Sequence, residues 1–166
     1  VGLKPELKKI WAKIGKRPVI TQCRGYQWLY VYGFVEPETG ISEFVILPSV
    51  NIQAMQIALD TFYKAVNPDG QDVIILLLDR AGWHVSQQLK VPSKMLLTFF
   101  PPYTPELSPA EPLIGRVKRP IANRTLKTLD EIEDLICREC RRLINAPQEV
   151  RSLTYFTWIR NIRKSV

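Results

Sequence analysis

The chain of 166 residues has 46% hydrophobic and 23% charged residues, a composition that excludes intrinsic disorder. No apolar stretch is long enough to cross a bilayer, and the amino end lacks the hydrophobic region of a signal peptide. The net charge of +7 favours polyanionic partners, although a basic protein without such a partner would carry the same charge. Three cysteines, Cys23, Cys137 and Cys140, are too few for a disulfide framework, so we expect a reducing, cytoplasmic environment.

The first half of the chain predicts a β-hairpin and a helix. Residues 26–35 alternate in size with a period of two, which is typical of a strand, and residues 42–47 return as a second strand after a turn. A further strand is expected around residues 17–22. Asn51 can cap a helix, since the apolar residues after it follow helical spacing as far as Val66.

Two apolar runs in the middle of the chain predict a pair of strands. Residues 73–78 are uniformly apolar, as expected of a strand that a parallel sheet buries on both faces, and residues 95–100 form a second buried strand. A short helix is expected near residues 85–89. The connection is long enough for a right-handed crossover, so the two strands are predicted to be parallel neighbours.

Helices are predicted after a proline-rich segment. Ser108, Pro109 and Glu111 have the spacing of a capping box at the start of a helix. Thr128 begins another helix, which carries one apolar stripe and runs to about Ile144. The whole order of elements predicts an α/β domain with a mixed sheet.

Asp79 and Glu111 are the candidate functional residues. Asp79 directly follows the strand at 73–78, and Glu111 follows the loop after the strand at 95–100. Ligands in open α/β sheets bind beyond the carboxyl ends of the strands, so both carboxylates belong at one edge if the loop turns back over the sheet. Such a pair can hold Mg²⁺ or Mn²⁺ for phosphodiester chemistry. Each residue also has an ordinary explanation, because Asp79 could be a turn residue and Glu111 the capping partner of Ser108.

The remaining chemistry-bearing residues have alternative explanations. His84, the single histidine, lies five residues after Asp79, and a surface or hydrogen-bonded role explains it equally well. Cys137 and Cys140 have CxxC spacing without further ligands, whereas zinc requires about four, so packing in the core explains them better. Basic residues that follow Glu111 are predicted to contact DNA phosphates, although a solvated helix face would also account for them: Arg116, Lys118, Arg119 and Arg124.

Two stretches carry a resemblance to a known family. Residues 78–84 read Leu-Asp-Arg-Ala-Gly-Trp-His, and residues 100–111 read Phe-Pro-Pro-Tyr-Thr-Pro-Glu-Leu-Ser-Pro-Ala-Glu. Both resemble the catalytic core of bacterial DDE-type transposases, in the insertion-sequence group related to mariner elements. Residues 117–124 fit the same family, as do residues 2–5 and the segment from Trp11 to Pro18.

The resemblance implies a ribonuclease-H-like fold, in which helices flank a mixed sheet and three acids bind two Mg²⁺ ions for DNA strand cleavage and strand transfer. Asp79 matches the second acid and Glu111 the third. The first acid belongs on a strand just before the residues that match Gly2-Leu3, and this sequence does not include it. We therefore expect residues 1–166 to be a single catalytic domain, N-terminally truncated and missing the first strand, with impaired activity.

The same resemblance implies DNA as the partner, both as transposon ends and as target, and no membrane. Arg80, Ser108 and Ile114 differ from the residues that are usual in the family. Loss of the first strand would leave a sheet edge unpaired, so we expect a homodimer. The alternative function is a catalytically dead remnant of a transposase that binds DNA or oligomerises.

Overall fold

The computed structural model describes residues 1–3, 7–9, 11–16, 25–79 and 88–164. Its helices and strands are, in chain order, β1 (Tyr30–Val35), β2 (Ser42–Leu47), α1 (Ile52–Val66), β3 (Ile74–Leu78), β4 (Met95–Phe99), α2 (Ala110–Val117), α3 (Leu129–Ile144), α4 (Pro147–Thr154) and α5 (Thr157–Lys164). The strand expected around residues 17–22 lies outside the described residues, as does most of the short helix expected near residues 85–89. None of the described helices is both long and apolar enough to span a membrane.

The predicted hairpin is confirmed, although pairing begins at Tyr30 and not at residue 26. Its two strands pair antiparallel from Tyr30 opposite Leu47 onward. Side chains alternate between the two faces, since successive residues of a strand point to opposite sides. Phe34 is buried on one face, where its ring stacks on Phe62 of α1 with the ring centroids 4.2 Å apart.

The helix predicted after Asn51 is also confirmed. The side-chain oxygen of Asn51 accepts a hydrogen bond of 2.8 Å from the backbone N–H of Ala54, which satisfies one of the donors left open at a helix start. The face of α1 that includes Met55 and Leu59 is buried against the hairpin and against β3 and β4. This contact forms the first of two hydrophobic cores.

A second core lies on the other face of the hairpin. There α2, α3 and α4 pack on β1 and β2, with Leu113, Ile136 and Leu143 fully buried. The predicted start of α3 is confirmed, because the hydroxyl of Thr128 accepts a hydrogen bond of 3.2 Å from the backbone N–H of Glu131. The hairpin is therefore the central layer of the molecule, with helices on both of its faces.

The described strands form two separate sheets in place of one mixed sheet. β1 pairs antiparallel with β2, and β3 pairs parallel with β4, but β1 does not pair with β3. The parallel relationship predicted for the two apolar runs is thus confirmed. Each pair has two outer edges within the described residues, and β1 and β3 both line a common cavity.

The prediction that both faces of β3 and β4 are buried is wrong. Ile75 is 67% exposed and Leu96 57% exposed, whereas Ile74, Leu76 and Leu97 pack against the first core. The reason is that α1 covers one face of this strand pair, while no described helix covers the other face closely enough to bury it. A uniformly apolar run therefore has alternating exposure.

Candidate functional site

Asp79 lies at the carboxyl end of the parallel strand pair. Leu78 is opposite Phe99 in the register, and the backbone N–H of Phe100 donates a hydrogen bond of 2.9 Å to the carbonyl of Leu78. The two strands consequently end at the same edge of their sheet. Asp79 follows this last pair and has an exposed side chain.

The loop after β4 folds into consecutive tight turns. The hydroxyl of Thr104 donates to the carbonyl of Pro101 at 2.7 Å, and a 3₁₀ turn follows at Pro105–Leu107. Tyr103 adopts a positive φ of 61°, a conformation that non-glycine residues seldom take. These turns make the loop compact and bring the chain to the start of α2.

The start of α2 differs from the predicted capping box. The N-cap residue is Pro109, no side chain caps the helix, and the backbone N–H of Glu111 donates to the backbone carbonyl of Ser108 at 3.2 Å. The helix therefore begins one residue later than the predicted capping box indicates, and Pro109 has no side-chain acceptor with which to cap it. Glu111 is exposed in the first turn of α2, and capping does not account for its carboxylate.

Asp79 and Glu111 lie on the wall of one cavity. The cavity has a volume of about 640 Å³, and Phe100 and Lys118 also contribute to its wall. The two carboxylates supply oxygen ligands of the kind that hard divalent cations prefer. Among the described residues no three His, Cys, Asp or Glu side chains are grouped to hold a metal ion. A cation between Asp79 and Glu111 would therefore have two protein carboxylates, with water or phosphate oxygens as its other ligands.

Arg116, one of the predicted DNA contacts, belongs to an ion-pair network inside the molecule. Its Nε donates to Glu149 at 2.8 Å, and its guanidinium lies 3.4 Å from the carboxylate of Glu139. Arg142 donates to both of these carboxylates, at 2.8 Å to Glu139 and at 2.7 Å to Glu149. The network joins α2 to α3 and α4, so much of the Arg116 charge is neutralised within the protein.

The network also changes the acidity of Glu149. Hydrogen bonds from Arg142 and Arg116 lower the pKa of its carboxyl from 4.5 to about 2. The hydrogen bonds that Arg142 donates to Glu149 and Glu139 raise the pKa of Arg142. Glu149 and Arg142 are therefore both charged near neutral pH. Sequence reasoning missed this network because its members lie on three different helices, and periodicity within one helix cannot reveal such pairs.

The other predicted basic contacts have different surroundings. Arg119 and Arg124 are exposed, and Lys118 lies on the wall of the cavity. An amino-terminal segment adds to this region: the backbone N–H of Lys8 donates to the Asn123 side chain at 2.9 Å, and the Asn123 amide donates back to Lys8 at 3.0 Å. This reciprocal pair brings Lys8 and its neighbours next to Arg124, a proximity that the sequence did not indicate.

Of the two cysteines predicted to pack in the core, Cys140 does so, whereas Cys137 is only partly buried. Cys140 is buried in the second core, where burial raises the pKa of its thiol to about 12. Burial also raises the pKa of Cys137. Both side chains are therefore thiols and not thiolates at neutral pH, which makes them poor metal ligands and nucleophiles. His84 and Cys23 lie outside the described residues.

Comparison of this sequence with those of known proteins identifies a family and a relative. Residues 1–133 match the family described as DDE superfamily endonuclease. The uncharacterized protein y4pE/y4sA of Sinorhizobium fredii (strain NBRC 101917 / NGR234) is 35% identical over 132 residues, which are 79% of this chain and 96% of the relative.

Solved structures of Mos1 transposase share the fold. The paired-end complex with the left transposon end has a TM-score of 0.56 and 15% identity, covering 94% of this chain and 53% of that chain. The pre-cleavage transpososome has a TM-score of 0.54 and 14% identity, covering 92% of this chain and 53% of that one. This chain thus spans about half the length of the Mos1 chains, and the likeness confirms the predicted ribonuclease-H-like fold. With a family match that covers most of its length, the chain belongs to the DDE superfamily of endonucleases.

Proposed function

We propose that this chain is the catalytic domain of a transposase, in which Asp79 and Glu111 are two of the acids that bind the catalytic metal. The observation that carries the proposal is that these carboxylates, far apart in sequence, line one cavity at the carboxyl ends of β3 and β4. Membership of the DDE superfamily of endonucleases supports it.

The chemistry of the two residues fits Mg²⁺ or Mn²⁺, which bind carboxylate oxygens in preference to softer ligands. When bound, such a cation supplies an activated water or hydroxyl and stabilises the leaving oxygen of a phosphodiester. The contribution of this chain is to hold the carboxylates in position. Asp79 is fixed by the end of a paired strand, and Glu111 by the first turn of α2.

DNA is the proposed substrate, both as transposon ends and as target. The net charge of +7 supports a polyanionic partner, and a Mos1 structure of similar fold is a complex with a transposon end. Phosphate contacts are proposed for Lys118, Arg119 and Arg124 near the cavity. Arg116 is the weakest of the predicted contacts, because Glu139 and Glu149 already bind its guanidinium.

Catalysis by this chain alone is expected to be poor. Two carboxylates hold a pair of metal ions less firmly than three, and within residues 1–166 we propose Asp79 and Glu111 alone as metal-binding acids. We expect little or no Mg²⁺-dependent nicking of supercoiled plasmid DNA. Robust nicking that Asp79→Asn abolishes would contradict this part of the proposal, since another residue would then complete the site.

Metal binding tests the proposed site directly. Calorimetry with Mn²⁺ should detect weak binding to the native chain, and Asp79→Asn or Glu111→Gln should weaken it by about tenfold, because each variant removes one of two charged ligands. Glu133→Gln is the matched control, since Glu133 is an exposed carboxylate on α3. Its removal should leave the affinity unchanged.

Equal Mn²⁺ binding in the native chain and all three variants would refute the metal site. If DNA binding persisted in that case, the chain would be the non-catalytic transposase remnant that is the alternative function. The homodimer remains a prediction, and sedimentation velocity across a range of protein concentrations would test it.

A further inference from the structure

The last part of the chain carries a cluster of positive charge that the proposed function does not use. From Arg151 to Val166 the sequence has four basic residues and no acidic one. The match to the endonuclease family ends at residue 133 and does not cover this segment. Three aromatic residues lie among the basic ones, namely Tyr155, Phe156 and Trp158. Aromatic rings next to positive charge are typical of surfaces that bind single-stranded nucleic acid.

Two exposed arginines meet at the ring of Tyr155. The guanidinium carbons of Arg151, on α4, and Arg160, on α5, each lie 5.0 Å from the ring centroid. At this distance a cation is attracted to an aromatic face. The Arg151 Nε also donates to the carbonyl of Glu38. The protein therefore positions both guanidinium groups before any ligand binds.

Carboxylates do not neutralise these two guanidinium groups. Within the part of the chain that the structure describes, Arg151 and Arg160 form no ion pair, whereas Arg116 and Arg142 do. Since both groups lie 5.0 Å from one centroid, the two like charges are at most about 10 Å apart, and they repel each other. A phosphate bound there would reduce this repulsion and accept charge-assisted hydrogen bonds.

An open cleft of about 670 Å³ adjoins Arg160. Phe156 and Trp158 supply aromatic surface to its wall, and Glu106, from the 3₁₀ turn before α2, adds an exposed carboxylate. A carboxylate repels a phosphate but accepts a hydrogen bond from the amino group of a nucleobase. The charges therefore favour a phosphate at the arginines and a base beside Glu106.

The cleft lies next to the proposed metal site. Trp158 belongs to the wall of the cleft and also to the wall of the cavity that includes Asp79 and Glu111. A DNA strand bound at those carboxylates would therefore pass close to the cleft.

We propose that the cleft binds one unpaired nucleotide of a DNA strand, with its phosphate at Arg151 and Arg160 and its base against Phe156 and Trp158. Glu106 accepts a hydrogen bond from the base, so cytosine is preferred to thymine, which has a carbonyl oxygen in place of the amino group. A paired base cannot bind in this way, because its faces are stacked and its amino group is already bonded. The choice of DNA rests on the proposed function, but the binding itself requires no metal.

Binding of single-stranded DNA in EDTA at neutral pH tests the proposal. Fluorescence anisotropy measures the affinity of the full chain for labelled oligodeoxycytidine of about 12 nucleotides and for a blunt-ended duplex. Arg160→Gln should weaken binding of the single strand by about fivefold or more, because one phosphate contact is lost, and binding of the duplex by less than about twofold. Arg138→Gln is the matched control, since Arg138 is an exposed arginine on α3, and it should leave both affinities unchanged.

Base preference gives a readout that a general loss of charge would not change. The native chain should bind oligodeoxycytidine about threefold or more tightly than oligothymidine. Glu106→Gln should bring this ratio close to one, because an amide donates to the thymine carbonyl as readily as it accepts from the cytosine amino group. Glu133→Gln removes an exposed carboxylate on α3 and should leave the ratio unchanged.

Three results would overturn the proposal. One is equal weakening of single-strand binding by Arg160→Gln and Arg138→Gln, and another is equal weakening of single-strand and duplex binding by Arg160→Gln. The third is a native chain that binds the two oligonucleotides equally. Because EDTA removes divalent cations, failure of the proposed metal site would leave these measurements unchanged, so the two proposals can fail separately.

Discussion

Gly40 occupies a position in the β1–β2 turn that a larger residue cannot fill without moving α4. Its φ is +80°, in the region that favours glycine, and a Cβ there would fall on the carbonyl of Pro147. The turn is also tied to α4 by a hydrogen bond of 2.7 Å from Arg151 Nε to the carbonyl of Glu38. The spacing between the strands predicts a turn, but only the docked α4 explains why this residue must be small.

Gly40→Ala is expected to lower the free energy of unfolding by about 2 kcal/mol or more. Left-handed backbone costs a non-glycine residue roughly 1–2 kcal/mol, and the collision with Pro147 adds to it. Gly70→Ala is the matched control, since Gly70 has a φ of +61° and no atom near its Cβ position. Urea unfolding should show a clearly larger decrease in the free energy of unfolding for Gly40→Ala than for Gly70→Ala. Equal decreases would mean that a Cβ at residue 40 does not collide with α4.

Arg116, Arg119 and Arg124 show that side chains of identical charge can have different roles. Glu149 bonds Arg116 and Arg142 from α4, whereas Arg119 and Arg124 lie exposed beyond α2. The sequence predicted the basic residues of this region as one set. Three-dimensional pairing divides them, because a guanidinium held by carboxylates is less available to a phosphate.

The Glu149 network should make stability depend on acid pH. The folded state lowers the pKa of Glu149 from 4.5 to about 2. The stabilisation that its carboxylate provides is therefore complete at pH values above 4.5 and is lost as the pH falls through about 2. Glu149→Gln should lower the free energy of unfolding by about 1–2 kcal/mol at pH 7. The free energy of unfolding of this variant should also fall less steeply than that of the native chain between about pH 5 and pH 2.

Urea unfolding followed by circular dichroism at several pH values measures both effects of Glu149→Gln. Glu133→Gln serves again as the control for removal of one carboxylate from the surface. An unchanged pH profile in Glu149→Gln would show that the network does not contribute to stability.

The β3–β4 pair shows how an element can be predicted correctly and its surroundings incorrectly. The apolar run at 73–78 predicted a strand and a parallel neighbour, and both are present. Burial of both faces is a property of the layers around a sheet and not of the strand itself. Here α1 supplies one layer, and the other face remains exposed at Ile75 and Leu96.

Substitutions on the two faces of β3 should therefore differ in cost. Leu76→Ala removes side-chain contacts with the first core and should lower the free energy of unfolding by about 2 kcal/mol. Ile75→Ala removes an exposed side chain and should change it by less than about 0.5 kcal/mol. Chemical denaturation of both variants makes the comparison, and a cost for Ile75→Ala equal to that of Leu76→Ala would show that the second face is covered in solution.

For the whole molecule, the arrangement of charge is more informative than its total. The carboxylates of Asp79 and Glu111, the exposed Arg119 and Arg124, and the Lys8 segment held by Asn123 all lie around α2 or next to it. A net charge of +7 only indicates a polyanionic partner. The fold indicates which surface that partner would meet.

DNA binding should weaken with salt, and the exposed arginines should contribute to this dependence. Fluorescence anisotropy with a labelled duplex across about 50–200 mM salt gives the slope of log K against log salt. Joint replacement of Arg119 and Arg124 by alanine should reduce this slope by about two, one for each lost phosphate contact. Arg116→Ala should leave the slope nearly unchanged. An equal effect of Arg116→Ala would contradict the assignment of that residue to the internal network.

Local pattern alone was enough to predict the hairpin, the helix capped by Asn51, the parallel pair and the helix capped by Thr128, because each depends on residues close together in the chain. It also pointed to Asp79 and Glu111 as candidate site residues, and two motif stretches carried the DDE resemblance. The separation into two sheets, the exposed face of β3 and the pairing of Arg116 came only from the tertiary structure. These features depend on which distant segments meet, and on which partner a backbone edge or a charge finds there, so no periodicity within one segment encodes them.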